Sequence, residues 1–265
     1  MDSWTADPHT NPLITFLVES TQTTKSATRK QSYSTDMSDE WICSKAEIFV
    51  QRGFCSVENI FSVEDVEAMN TTAMENFRIL LSLLEINNLS LGIGIKNGWK
   101  EIVQRHPNRY EMTFRMSSEV FKSASENPVV LALVTAILGP KPKVINVSVV
   151  ISLPQAQDQS WHSDGPHLSL SSDLPCHCLN VFIPLVDIDQ ENGPTSIRPE
   201  SHLYTRDLKK LYMRAFAKKK LQAIESPCLS KGSILLFDYR YLSMFCMHCS
   251  LIYARINNMI LHNEY

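Results

Sequence analysis

The pattern of apolar residues changes once along this chain, near residue 140, and that change restricts the fold. Upstream, the segments read as helices. Phe49-Val-Gln-Arg-Gly53-Phe54 has the form of a helix end stopped by glycine and followed by a short strand. Ser62-Val-Glu-Asp65 is a capping pattern, and the helix it opens runs toward Leu84. Residues 118–125 read as a short helix, and Asn127-Pro128 starts another that Gly139-Pro140 ends. Downstream, residues 143–152, 178–185 and 233–237 are apolar runs rich in branched side chains, with turn residues between them. Helices first and strands after predict an α+β fold whose sheets curl into a jelly roll.

Composition narrows the setting. The chain has 265 residues, 44% hydrophobic and 20% charged, which is enough to fill a substantial core. A net charge of −3 gives no overall attraction to nucleic acid or anionic membrane. No apolar run reaches the roughly 18 residues of a membrane span, and the N-terminus lacks the basic and apolar regions of a secretory signal. Residues 1–40 are rich in Ser and Thr and read as a disordered leader, with one domain over 41–265. Seven scattered cysteines fit reduced thiols in an intracellular, cytoplasmic protein. The basic, hydroxylated stretch 23–35 leaves organelle targeting open. Residues 207–220 read as a basic amphipathic helix inserted between strands, with snorkelling lysines on a solvated face.

The chemistry gathers at Gln159-Ser-Trp-His162-Ser-Asp164-Gly165. In extended backbone, residues two apart project from the same side. His162 and Asp164 thus offer a neutral imidazole and a carboxylate together, two of the three ligands of a 2-His-1-carboxylate iron(II) site. Gly165 lets the backbone turn sharply after them. An isolated His-x-Asp is otherwise a surface turn with a local hydrogen bond. His167, Thr195 and His202 read as structural, His202 through a bond to backbone.

From about residue 49 to 240 the chain resembles the phytanoyl-CoA dioxygenase family. The resemblance rests on Gly53-Phe54 with the Ser62-Val-Glu-Asp65 helix, on Arg109-Tyr-Glu-Met112, and on the His162 motif. It continues through Asn192-Gly-Pro-Thr195 with Pro199-Glu-Ser-His202, and through Gly232-Ser-Ile-Leu-Leu-Phe-Asp-Tyr-Arg240. It implies a double-stranded β-helix (jelly roll, cupin-like) with N-terminal helical flanks, and dependence on Fe(II) and 2-oxoglutarate. It also implies hydroxylation of a small organic or acyl substrate, coupled to conversion of 2-oxoglutarate to succinate and CO₂. His162 and Asp164 would be metal ligands, Gln159 a co-substrate contact, and Trp161 a wall that keeps water out.

The pattern breaks after Arg240. The family's third iron ligand is a His following a Leu; here Leu242 is followed by Ser243. Three readings are open. The tail 241–265 is an alternative chain ending; His248 replaces the ligand through a bulge; or the protein is a catalytically dead relative that serves as a binding module. Loss of the last barrel strand is a further open reading, and it would leave an unpaired sheet edge. Arg255 falls near the place of the arginine that holds the far carboxylate of 2-oxoglutarate and is the candidate for that contact. A different class is a zinc site built from Cys176, Cys178, Cys246 and Cys249.

Overall fold

In a computed structural model, the residues described are 38–113, 124, 126–207, 224–244 and, as backbone, 250–257. Helix α1, Asp39–Arg52, is capped by the Ser38 hydroxyl and closed by Gly53, whose φ of 82° suits a left-handed C-cap. Strand β1, Phe54–Val57, follows at once. Helix α2, Val63–Ile86, is capped by Ser62 and buries Val66, Met69, Ala73, Phe77, Leu80 and Leu84, a three–four spacing that forms one apolar stripe. Strands β2, Ile102–His106, and β3, Arg109–Thr113, make a hairpin. Helix α3, Pro128–Leu138, is capped by Asn127 with Pro128 in its first turn. The short helix read over 118–125 lies outside the described residues, Ala124 aside, and so does most of the basic segment 207–220.

The remaining strands build two antiparallel sheets. Strands β4, Lys143–Ser152, β5, Cys178–Pro184, β7, Ile234–Asp238, and β9, Ser250–Asn257, join the earlier three in a seven-stranded sheet ordered β1-β7-β5-β9-β4-β3-β2. The second sheet is narrow. Strand β6, Ser196–Ile197, pairs with β8, Ser243–Met244, and single bridges extend the ladder from Ser243 to His162 and from Ile197 to Glu225.

Alternation along the strands assigns the faces of the large sheet. Leu179, Val181 and Ile183 of β5 and Ile234 and Leu236 of β7 join the core that contains the buried residues of α2 and α3. Phe182, Leu235 and Phe237 point the other way, into a second core shared with Ile197 of the narrow sheet and with Ile188 and Leu229, which bridge each other. The Phe182 and Phe237 rings meet edge to face at 4.6 Å. The layers are therefore helices, large sheet, narrow sheet. The expected loss of the last strand is overturned: β9 lies centrally, paired with β4 on one side and β5 on the other. Its Leu-Ile-Tyr-Ala-Arg-Ile core has the branched and aromatic side chains that suit a central strand, whatever motif it lacks.

Candidate metal centre

His162 enters from the narrow sheet. Its backbone exchanges two hydrogen bonds with Ser243, N–H to O at 3.1 Å and 2.9 Å. The motif predicts a strand; the backbone makes one bridge and then leaves the ladder, because Gly165-Pro166 and the serine-rich stretch after it favour turns. The imidazole is oriented by its own neighbourhood. Nδ1 lies 2.8 Å from the Ser160 carbonyl, which can only accept, so Nδ1 carries the proton. Nε2 then faces Asp164, 3.4 Å from Oδ1. The Asp164 hydrogen bond raises the His162 pKa above its ordinary value, burial works against this, and the Ser160 carbonyl adds to the rise.

The other carboxylate oxygen is held from the large sheet. Asn180 of β5 donates its amide to Asp164 Oδ2 at 2.6 Å and is wholly buried. Residues from the two sheets thus fix a nitrogen lone pair and a carboxylate oxygen close enough for one cation to bridge. Each donor also has the outer partner that tunes metal ligands, a carbonyl for the histidine and an amide for the aspartate. Asn180 is absent from the sequence reading; its only sequence signal is an amide inside an apolar run, a group that must find a partner when buried.

Where the resemblance implies a third ligand, the chain has Ser243. Ser243 is the ladder partner of His162, and directly paired residues project to the same face. Its side chain is fully buried, and its Oγ has no hydrogen-bond partner among the described residues. No group of three or more His, Cys, Asp or Glu suited to a metal occurs among the described residues. His248, the proposed replacement, and Cys246 and Cys249 of the zinc reading lie outside them. Cys178 is buried in β5, and the Cys176 thiol donates to the Cys178 carbonyl at 3.2 Å.

Gln159 is partly exposed, yet its Oε1 is enclosed and without a hydrogen-bond partner among the described residues. Arg255 lies in β9, in register with Asn180 on one side and Asn146 on the other, so its backbone position adjoins the strand that carries the Asp164 contact. Trp161 is covered by the Arg198 guanidinium, 4.3 Å from the ring centroid. The hairpin supplies positive charge. Burial lowers the His106 pKa, and the charges of Arg109, His162 and Arg105 lower it further, so these groups share one neighbourhood. Arg109 is almost fully buried and donates to Ser152 Oγ at 3.0 Å, while Arg105 pairs with Glu111.

Behind the pair lies a structural knot. Gly165 does not adopt a left-handed conformation as a sharp turn would require; a Cβ there would fall inside the Tyr239 ring, so close packing demands glycine. Arg240 holds both oxygens of buried Asp238 and also donates to the Leu174 carbonyl. Thr205 donates to the Arg240 carbonyl at 2.6 Å, which leaves its oxygen to accept from His167 Nε2 at 2.8 Å. His202 Nε2 donates to the Val50 carbonyl at 3.2 Å. Both histidines make structural contacts, consistent with their sequence reading.

Comparison with known proteins supplies the lineage. The model of the phytanoyl-CoA dioxygenase family matches residues 49–242. Among solved structures, the chain is similar to SnoK, a non-heme α-ketoglutarate-dependent carbocyclase from nogalamycin biosynthesis, with 16% identity over 87% of each chain and a TM-score of 0.60. It is similar to EctD from S. alaskensis with bound Fe, at 16% identity over 86% of this chain and 79% of that one, TM-score 0.59. HygX from Streptomyces hygroscopicus, with nickel and 2-oxoglutarate bound, gives 14% identity over 82% and 87%, TM-score 0.57. At such identities the likeness speaks for the fold.

Proposed function

The chain belongs to the phytanoyl-CoA dioxygenase family of iron(II)- and 2-oxoglutarate-dependent oxygenases, and we propose that its two facing sheets form a double-stranded β-helix with His162 and Asp164 as metal ligands. The observation that carries this reading is the pair itself, 3.4 Å between Nε2 and Oδ1, with each side chain locked by a separate partner. Iron with 2-oxoglutarate supplies the oxidising chemistry of such enzymes. In this chain, His162 and Asp164 would hold the ion. Gln159, with an enclosed carbonyl oxygen, and Arg255, in register with Asn180, are the candidates to orient the co-substrate. The substrate is a small organic or acyl molecule, and the reaction is hydroxylation. Fold alone does not fix that choice, since a carbocyclase shares the architecture.

Replacing Asp164 with Ala is expected to abolish iron(II)-dependent binding of 2-oxoglutarate, measured by calorimetry without oxygen. Unchanged affinity would sink the metal assignment. Buried Ser243 favours a second reading, a non-catalytic binding module on the same scaffold. Succinate released from 2-oxoglutarate by the Ser243→His protein but not by the natural chain would select it.

A further inference from the structure

We propose that an exposed apolar face made by Leu168, Leu170, Leu174, Leu203 and Tyr204 docks this protein on an anionic lipid surface. This docking does not depend on a bound metal.

Three observations carry it. The first is exposure: each of these side chains is at least 41% exposed, and Leu170 reaches 78%. Single exposed apolar residues are ordinary, but five gathered on two segments mark an interaction site. The second is that the two segments form one place. His167 Nε2 donates to Thr205 Oγ1 at 2.8 Å, and Arg206 pairs with Asp173. Arg240 donates to the Leu174 carbonyl at 2.8 Å, while its own carbonyl accepts from Thr205. Leu168 and Leu174 adjoin these ties on one segment, Leu203 and Tyr204 precede them on the other, and Leu170 stands between the ties at His167 and Asp173. The third is the charge that follows in sequence. The chain leaves this place at Asp207 and returns at Ile224, itself 54% exposed. Between them, residues 208–223 carry six Lys or Arg and no Asp or Glu, a concentration that the net charge of −3 conceals.

Together these features select the occupant. Nucleic acid is bound through its phosphates and would leave the leucines in water. A lipid surface takes both parts: leucines enter the boundary between headgroups and acyl chains, tyrosine suits the interface, and basic residues meet anionic headgroups. The contact is peripheral, since no helix among the described residues is long and apolar enough to cross a membrane.

The test floats the full chain through a density gradient with phosphatidylcholine vesicles, with and without about 30% phosphatidylserine. The natural chain should float with the anionic vesicles only, and less of it as salt is raised from about 0.1 M to about 0.5 M. Leu168→Ser combined with Leu170→Ser should weaken binding about tenfold or more. Replacing Lys218, Lys219 and Lys220 together with Gln should weaken it about 100-fold. The leucine variant should keep the natural melting temperature, because both side chains are exposed. Absence of flotation with anionic vesicles would overturn the proposal. So would equal flotation of the leucine variant, which would leave a contact made by charge alone, or equal flotation with neutral vesicles. A dimer of the natural chain that the leucine variant fails to form, without vesicle binding, would overturn it in favour of a second copy on this face.

Discussion

At the scale of single residues, the candidate centre depends on groups that touch no ion. Asn180 anchors Asp164 through one 2.6 Å hydrogen bond from inside the large sheet. Asn180→Leu keeps the volume but frees Oδ2, and metal affinity should fall 10–100-fold. The melting temperature should change little, because one exchanged hydrogen bond is worth about 1 kcal/mol. Equal losses of both would make Asn180 a packing residue. Gly165→Ala is expected to behave in the reverse way. Its methyl would overlap the Tyr239 ring, so stability in denaturant should drop by about 1–3 kcal/mol from overpacking. His162 and Asp164 are candidates in sequence because they stand two apart in one short motif, although the backbone bends at Asp164. Asn180 is not, since its partner is 16 residues away on another sheet. Ser243 stands out in sequence only as a missing histidine; its burial beside His162, with no partner for the hydroxyl among the described residues, becomes visible through the ladder.

At the scale of elements, legibility follows the range of the signal. The caps at Ser38, Ser62 and Asn127 and the glycine stop at Gly53 act within four residues, and the helices read at Ser62 and Asn127 fall where those signals put them. The β2–β3 hairpin, turning at Asn108 with φ 58°, carries little sequence signal because its strands mix charged and apolar residues. β6 and β8 are two residues each, too short for any periodicity. The sequence of β9 lacks the family's motif, yet sheet formation requires only a pairable backbone and suitable side chains. Ala254 is in register with Val147 on one side and Val181 on the other. Ala254→Pro removes a donor from a strand with neighbours on both sides, a place where proline is excluded. Truncation at Met244 would expose the edges of β4 and β5 together. Both variants should accumulate as insoluble protein. A soluble truncated chain with a cooperative melt would displace β9 from the middle of the sheet.

At the scale of the whole molecule, the buried charges and the lowered histidines make stability depend on pH with a definite sign. Burial raises the Asp238 pKa, but hydrogen bonds and charge from Arg240 outweigh it, leaving the carboxyl below its ordinary value. A carboxyl of this kind stabilises the fold above its unfolded pKa of roughly 4, and the contribution is lost as pH falls through the folded value. Arg240→Met would strand that carboxylate and should cost about 3–5 kcal/mol. The histidines act at higher pH. His167 is pushed down to about 4, first by burial and then by Arg240 and Arg206. His106, His177 and His202 are lowered as well, each chiefly by burial. In the unfolded chain all four titrate near 6.5, so between about 6.5 and 4 the unfolded state binds more protons and stability falls as pH falls. His162 has the opposite sign, because its pKa is raised: its contribution is complete at low pH and fades as pH rises through the folded value. Four groups against one decide the balance. The melting temperature of the metal-free chain should therefore decline steadily from pH 7 to pH 5. His167→Gln keeps a donor for the Thr205 oxygen but cannot bind a proton, so its decline should be shallower. A melting temperature that stays level across this range in the natural chain would mean that these histidines meet solvent freely, and the knot behind the candidate centre would have to be looser than its hydrogen bonds indicate.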